Sequence, residues 1–359
     1  MNRIKIKEEW ESLRAYTLII FTLIFFPTLI YSKVYIGAFY YEGWGGNNKD
    51  VTLVKNAPIG LSDKMISQYS DREPIWGWRD DNVKTMEKQI SLASKNGIDF
   101  FAFDWYWQKP RGPIDTAMIN NRPENQCIKR FKAAKNRKKM RFALLVANHG
   151  GSEIVGESNW RAAVDFWSKN YFSDPQYLKV DNKPVIEIFD AKAAQPFLSA
   201  IREEVKKFGY KDIILISNGT ISQDYDYTSW YNITNTSNGV RTIRNFKTCI
   251  DYVEQGWNWW GKTYRVQPVV MAGWDNRPWQ TTENGIYYIN RSPELFYNQL
   301  VDAVKFVQEK NYPHKFIFIY AWNELGEGGY LVPTKGDPKG NYLKQIKKLK
   351  RSYGKILAQ

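Results

Sequence analysis

Cysteine and histidine are scarce in this chain. Among 359 residues there are two cysteines, Cys127 and Cys249, and two histidines. So few, and so scattered, they give no zinc-ligand spacing, and neither a metal nor a cofactor is expected. The cysteines fall on the helices that follow the second and sixth strands of the reading below, on opposite sides of the molecule, so free thiols are expected even in an exported protein. No GxGxxG follows the first apolar strand, and the one GxxxxGK[ST] match, Gly256 to Thr263, ends the helix expected at 246–262 instead of joining a strand to a helix, so neither the usual dinucleotide site nor a phosphate loop is indicated. There is no recognisable nucleic-acid reading motif, so nucleic acid is not an expected partner. Nor does any linker, repeat or low-complexity tract divide the chain.

Aromatic residues, by contrast, are abundant: 15 Trp, 23 Tyr and 19 Phe. Most must fill the core, but flat rings with a polar edge also suit stacking on sugars. The formal net charge is +14, and part of it lies in the run Lys344, Lys347, Lys348, Lys350, Arg351 and Lys355. Such a surface could attract an anionic glycan or an anionic membrane. At the N-terminus, Arg3, Lys5, Lys7 and Arg14 precede the apolar stretch Ala15 to Tyr31. Residues 1–32 therefore read as an export signal that contacts membrane during export, with an N-terminal anchor as the alternative. Residues 33–359 read as one domain.

In that domain short apolar runs alternate with amphipathic stretches. Strands are expected at 34–40, 98–103, 140–147, 184–189, 212–217, 225–230, 266–273 and 316–321. Helices are expected from Asp80 or Asp81 to Gly97, then at 124–138, 160–170, 191–208, 246–262, 293–310 and 341–352. Eight strands with covering helices predict a single (β/α)8 barrel, whose functional residues should gather in the loops at the carboxyl ends of the strands. Those positions hold Tyr40 and Tyr41, Asp104, Trp105 and Trp107, Asn148 and His149, Trp274 and Asp275, and then Trp322, Asn323, Glu324, Glu327 and Tyr330.

The last group is the most informative. In FIFIYAWNELGEGGYLVP a buried strand stops at two glutamates three residues apart on a glycine-rich turn. Cleaving a glycosidic bond takes two carboxyl groups flanking one bond, so Glu324 and Glu327 are the candidate catalytic pair. The other residues named are candidate contacts for an oligo- or polysaccharide. A glycosyltransferase, a non-catalytic glycan-binding protein and a lyase on a uronic-acid polymer remain as alternatives.

These segments resemble a known family. AWNELGEGGYLVPT is similar to the AWNEWGEGxYLEP signature of WbsX-like proteins, which are related to glycoside hydrolase family 99. FFAFDWYW, VANH, YLKVDNKPVIEIFD and MAGWDNRPW occur in the expected order. The resemblance implies a retaining hydrolase of α-linked sugars. In it Glu327 would be the general acid/base, and Glu324 a base on the sugar 2-hydroxyl, passing through a 1,2-anhydro intermediate. Two positions depart from the pattern: His149 stands where an acidic residue is usual, and Leu325 where an aromatic is usual. Both bear on specificity more than on mechanism.

Overall fold

The computed structural model describes residues 33–45, 61–109, 112–234, 243–279 and 287–358; segment 1–32, expected as an export signal or an N-terminal anchor, lies outside them. Eight parallel strands form the barrel wall: β1 (Val34–Tyr40), β2 (Phe100–Trp105), β3 (Arg141–Val146), β4 (Lys183–Ile188), β5 (Ile214–Asn218), β6 (Tyr227–Ser229), β7 (Val269–Met271) and β8 (Lys315–Tyr320). Each pairs with its sequence neighbour, and β1 pairs with β8. The ring closes between β6 and β7 through one parallel bridge, Thr228 to Val266.

That seam shows why the seventh strand is shorter than its apolar run. Pro268 has no N–H to give the ladder. Gln267 makes up part of the loss with its side chain, donating to the His314 carbonyl (3.0 Å) and accepting from the Phe316 N–H (2.8 Å). Inside the barrel, Phe39 stacks on Phe318 at 5.3 Å, and Phe100 meets both Phe316 and Phe318 edge-on. A plug of rings fills the lower interior, so a ligand can enter only at the ends.

The main helices are α1 (Val83–Asn96), α2 (Gln126–Ala133), α3 (Glu157–Trp167), α4 (Leu198–Lys206), α5 (Phe246–Trp260), α6 (Pro293–Glu309) and α7 (Asn341–Ala358). No helix lies between β5 and β6. Asn82 caps α1, accepting from the Thr85 N–H (2.9 Å), and Gly97 ends it at φ 98°. Neither expected cap serves: Asp80 accepts from the Trp44 N–H at 2.9 Å and Asp81 from Arg79 at 3.0 Å. Helix 191–208 is interrupted at Gln195–Phe197, where Pro196 cannot continue the ladder. The stretch 124–138 keeps only α2 as regular helix, because Ala134 is extended. Both cysteines are buried and free.

One shift of register matters for the site. β2 runs to Trp105, so Asp104 and Trp105 lie within the strand and not beyond it. Strand alternation then sends Asp104 inward and Trp105 outward.

Candidate active site

Glu324 and Glu327 lie just past β8 on a two-stranded hairpin. Asn323–Glu324 pairs antiparallel with Gly329–Tyr330, setting Glu324 opposite Gly329. Gly328 turns the chain at φ 73°, where a Cβ would sit 2.8 Å from the Asp275 nitrogen. The hairpin is clamped from outside. The Asp275 N–H donates to the Glu327 carbonyl (2.6 Å), Arg72 donates to the Leu325 carbonyl (2.9 Å), and Arg291 donates to the Gly328 carbonyl (3.0 Å).

Three asparagine side chains fix the strand exits around it, each bonding both ways to one backbone unit. Asn323 accepts from the Tyr41 N–H (3.0 Å) and donates to its carbonyl (2.7 Å). Asn125 holds Tyr106 in the same way at 2.9 and 3.0 Å. Asn148 holds Asp190 at 2.8 and 3.0 Å. An amide has both donor and acceptor, so one side chain can satisfy a peptide unit where the sheet ladder has ended.

Inside this frame the carboxyl groups converge. Glu324 is 3% exposed, whereas Glu327 keeps an edge open to solvent. The Tyr231 hydroxyl reaches Asp104 Oδ2 (3.0 Å) and Glu324 Oε1, and the Tyr320 hydroxyl donates to Glu327 Oε2. Tyr231 has a single proton. Its second contact is a hydrogen bond only if that carboxyl is protonated and donates back.

Burial pushes all the pKa values up. Glu324 rises well above the carboxylate range through desolvation and then the charges of Glu327 and Asp104. Asp104 rises through desolvation, with the Glu327 charge adding to it. Glu327 rises to about 7, again by desolvation. Glu187, on β4, is a fourth member: it is buried, raised by desolvation and the Asp104 charge, and accepts from Asn218 (3.2 Å). Among the described residues none of the four forms a salt bridge. One oxygen each of Asp104, Glu187 and Glu324 is buried with no partner. The set can therefore hold protons at neutral pH and offer acceptors to a ligand's hydroxyls.

Of the residues expected from sequence, Glu324, Glu327 and Asp104 come together. Tyr41 stands beside them in a wall with Trp44 and Trp279, at ring distances of 5.7 and 6.0 Å, and Trp279 covers Gly326 between the two glutamates. Trp274 lies 6.0 Å from the Tyr320 ring. His149 packs on Phe189 at 4.3 Å, and burial lowers its pKa.

Others face elsewhere. Tyr40 and Trp322 point outward to Gln89 on α1, at 3.0 and 2.6 Å. Trp105 donates to Tyr171 (3.2 Å) on the helix side, and Trp107 packs against it. These four, expected as ligand contacts, fill the layer between strands and helices. Asp275 is held by Arg277 (2.7 Å) and Arg72. Burial raises its pKa, but the bonds and charges of those arginines outweigh burial and keep it below the usual range. Tyr330 lies under Arg291, at 4.2 Å. Both secure the hairpin, as Asn323 and Asn148 secure strand exits.

Tyr231 is placed by the sequence at the exit of the sixth strand but given no role there, and Tyr320, Glu187, Trp279 and Arg72 are not singled out. For Glu187 a signal exists: a lone acid among the apolar residues of PVIEIF sits where the strand faces inward. Arg72 has none.

The molecule is a (β/α)8 barrel with buried carboxyls gathered at the carboxyl ends of its strands. A family model described as Glycosyltransferase WbsX matches residues 77–346, and the chain belongs to that family. Uncharacterized WxcX proteins of two Xanthomonas campestris pv. campestris strains are 36% identical over 74 residues, 20% of this chain. The matched stretch spans about 10% of their length. Among solved structures, the GH99 endo-α-mannosidase from Bacteroides thetaiotaomicron is similar at a TM-score of 0.62 and 15% identity, over 90% of this chain and 99% of that one. A glycoside hydrolase-like protein is similar at 0.60 and 13%, over 88% and 94%. At these identities the likeness establishes the fold.

Proposed function

We propose that the protein is an exported retaining glycosidase acting on an α-linked glycan. The observation that carries this reading is the pair Glu324 and Glu327, raised on one clamped hairpin at the carboxyl rim, desolvated with no counter-cation among the described residues and mutually repelling. A pair of that kind keeps one member protonated and the other ionised near neutrality, the division of labour that general acid–base catalysis needs.

In the proposed cycle Glu327, the more open of the two, protonates the departing glycosidic oxygen as its bond to C1 breaks. Glu324 takes the proton of the sugar 2-hydroxyl, and O2 closes on C1 to give a 1,2-anhydro sugar. Water, deprotonated by Glu327, then opens that ring at C1 while Glu324 returns the proton to O2. Two inversions leave the configuration retained. Asp104 and Glu187 offer unfilled acceptors for other hydroxyls, and the Tyr41–Trp44–Trp279 wall offers ring faces. The similarity to a GH99 endo-α-mannosidase supports this direction.

Digestion of a panel of α-linked glycans, with product NMR, tests it on the parent and on Glu324→Gln and Glu327→Gln. An α-configured reducing end released by the parent alone is the expected result. Equal turnover by either variant would refute the assignment.

The family description favours a second reading, transfer from an activated sugar donor. A diphosphate donor would meet four uncompensated buried carboxyls at this rim, which argues against it. Consumption of a nucleotide sugar by the parent, abolished in Glu327→Gln, would establish transfer instead.

A further inference from the structure

The opposite end of the barrel carries a second feature that the catalytic reading does not use. A cavity of about 680 Å³ opens where β1, β2 and β3 begin, lined also by the last turn of α1 and by α7. Eight lysine and arginine side chains line it, against one carboxylate, Asp99, which leaves +7, half the formal net charge of the chain. Asp99 is occupied by Lys350 at 2.9 Å. Lys95, Lys138, Lys139, Lys347 and Arg351 form no salt bridge among the described residues. The carbonyl end of α1 also faces this cavity, and one or two cations would serve to offset it. The number present far exceeds that.

The path of the chain gives the cluster its context. Lys33 lines the cavity at the foot of β1 and packs over the Tyr35 ring at 4.7 Å. The sequence immediately before it is the apolar run 15–31. Wherever that run meets a bilayer, this face stands next to the bilayer surface. Exposed cations close to an anionic leaflet are attracted by its surface potential.

We propose that the amino-terminal face of the barrel docks on membrane containing anionic phospholipid, its cavity receiving phosphate headgroups. Docked so, the rim bearing Glu324 and Glu327 points away from the bilayer toward glycan. The proposal does not depend on which reaction the rim performs.

The full chain, carrying an environment-sensitive dye on Ser94→Cys at the cavity edge, tests this; Cys127 and Cys249 are buried and will not compete for label. Spectra are compared in vesicles of phosphatidylcholine alone and with one-third phosphatidylglycerol. A blue shift only with phosphatidylglycerol, reversed by 0.5 M salt, is expected. Lys138→Glu/Lys139→Glu, both exposed in a short turn, should reduce the docked fraction at least about 25-fold, taking about fivefold per cation. Identical spectra in the two vesicle types, or no response to charge reversal, would overturn the proposal. So would an equal shift with millimolar inorganic pyrophosphate and no vesicles, which would make the cavity a site for a soluble phosphate. Because the readout needs no glycan and no turnover, its failure leaves the hydrolase reading untouched.

Discussion

The two ends of this barrel treat charge in opposite ways. At the carboxyl end, Asp104, Glu187, Glu324 and Glu327 are gathered with no cation paired to any of them among the described residues, and three of their oxygens have no partner there. At the amino end, eight cations stand in water around one carboxylate. The second arrangement is cheap, because exposed like charges are screened within about 10 Å. The first is expensive: a buried carboxyl without a partner costs several kcal/mol or must keep its proton. A fold selected for stability alone would have filled those positions with apolar side chains. The cost is borne where the Asn323, Asn125 and Asn148 clasps and the arginine-held hairpin make the geometry rigid, as a catalytic site requires.

Substitutions sharpen that contrast, and the largest effects belong at the rim. Glu324→Gln and Glu327→Gln should each lower kcat at least about 10³-fold, with circular dichroism unchanged. Tyr231→Phe removes the hydroxyl that bridges Asp104 and Glu324. A loss of about 10- to 100-fold in kcat, with KM changed much less, is expected, and steady-state kinetics on the identified glycan measure it.

Stability should respond in the opposite sense to activity. The Glu327 pKa of about 7 lies above the ordinary 4.5, so its contribution is fully present below about 4.5 and lost as pH rises to 7. Glu327→Gln does not ionise. It should be more stable than the parent by about 2 kcal/mol at pH 8, allowing for its open edge, and nearly equal at pH 4.5. Thermal melts at the two pH values read this directly; a variant less stable at pH 8 would mean that the carboxylate is well solvated. Asn323→Ala leaves both groups of the Tyr41 peptide unit without their amide partner and should cost about 2 kcal/mol in denaturant unfolding. At the amino end, Lys138→Glu/Lys139→Glu should change neither hydrolysis nor stability, the latter within about 0.5 kcal/mol.

Much of this was legible in the residues. The eight strands follow from apolar runs with breaks between them, and the terminal glutamates stand out because a core strand has no reason to end in acids on a glycine turn. Less legible was which way a side chain faces. Which of Trp105 and Asp104 lines the site follows from alternation only if β2 reaches them, and an end placed two residues early leaves both in a loop with no defined face. Partners distant in sequence were also hidden. Tyr231 meets Asp104 and Glu324 from the exit of the short strand β6, and Arg72 reaches the hairpin across 253 positions. Aromatic residues misled for a related reason: Tyr40 and Trp322 end strands at the rim, yet their polar atoms find Gln89 in the helix layer.

The central claim is that a rim carboxyl is held protonated at neutral pH by burial and by its neighbours. Carbon-13 NMR titration of protein labelled at the glutamate carboxyls tests it without any substrate. The account predicts a resonance with a midpoint near pH 7 that disappears in Glu327→Gln. If every glutamate titrates below about pH 5, the pair is an ordinary solvated one and the proposed chemistry has no acid to begin it.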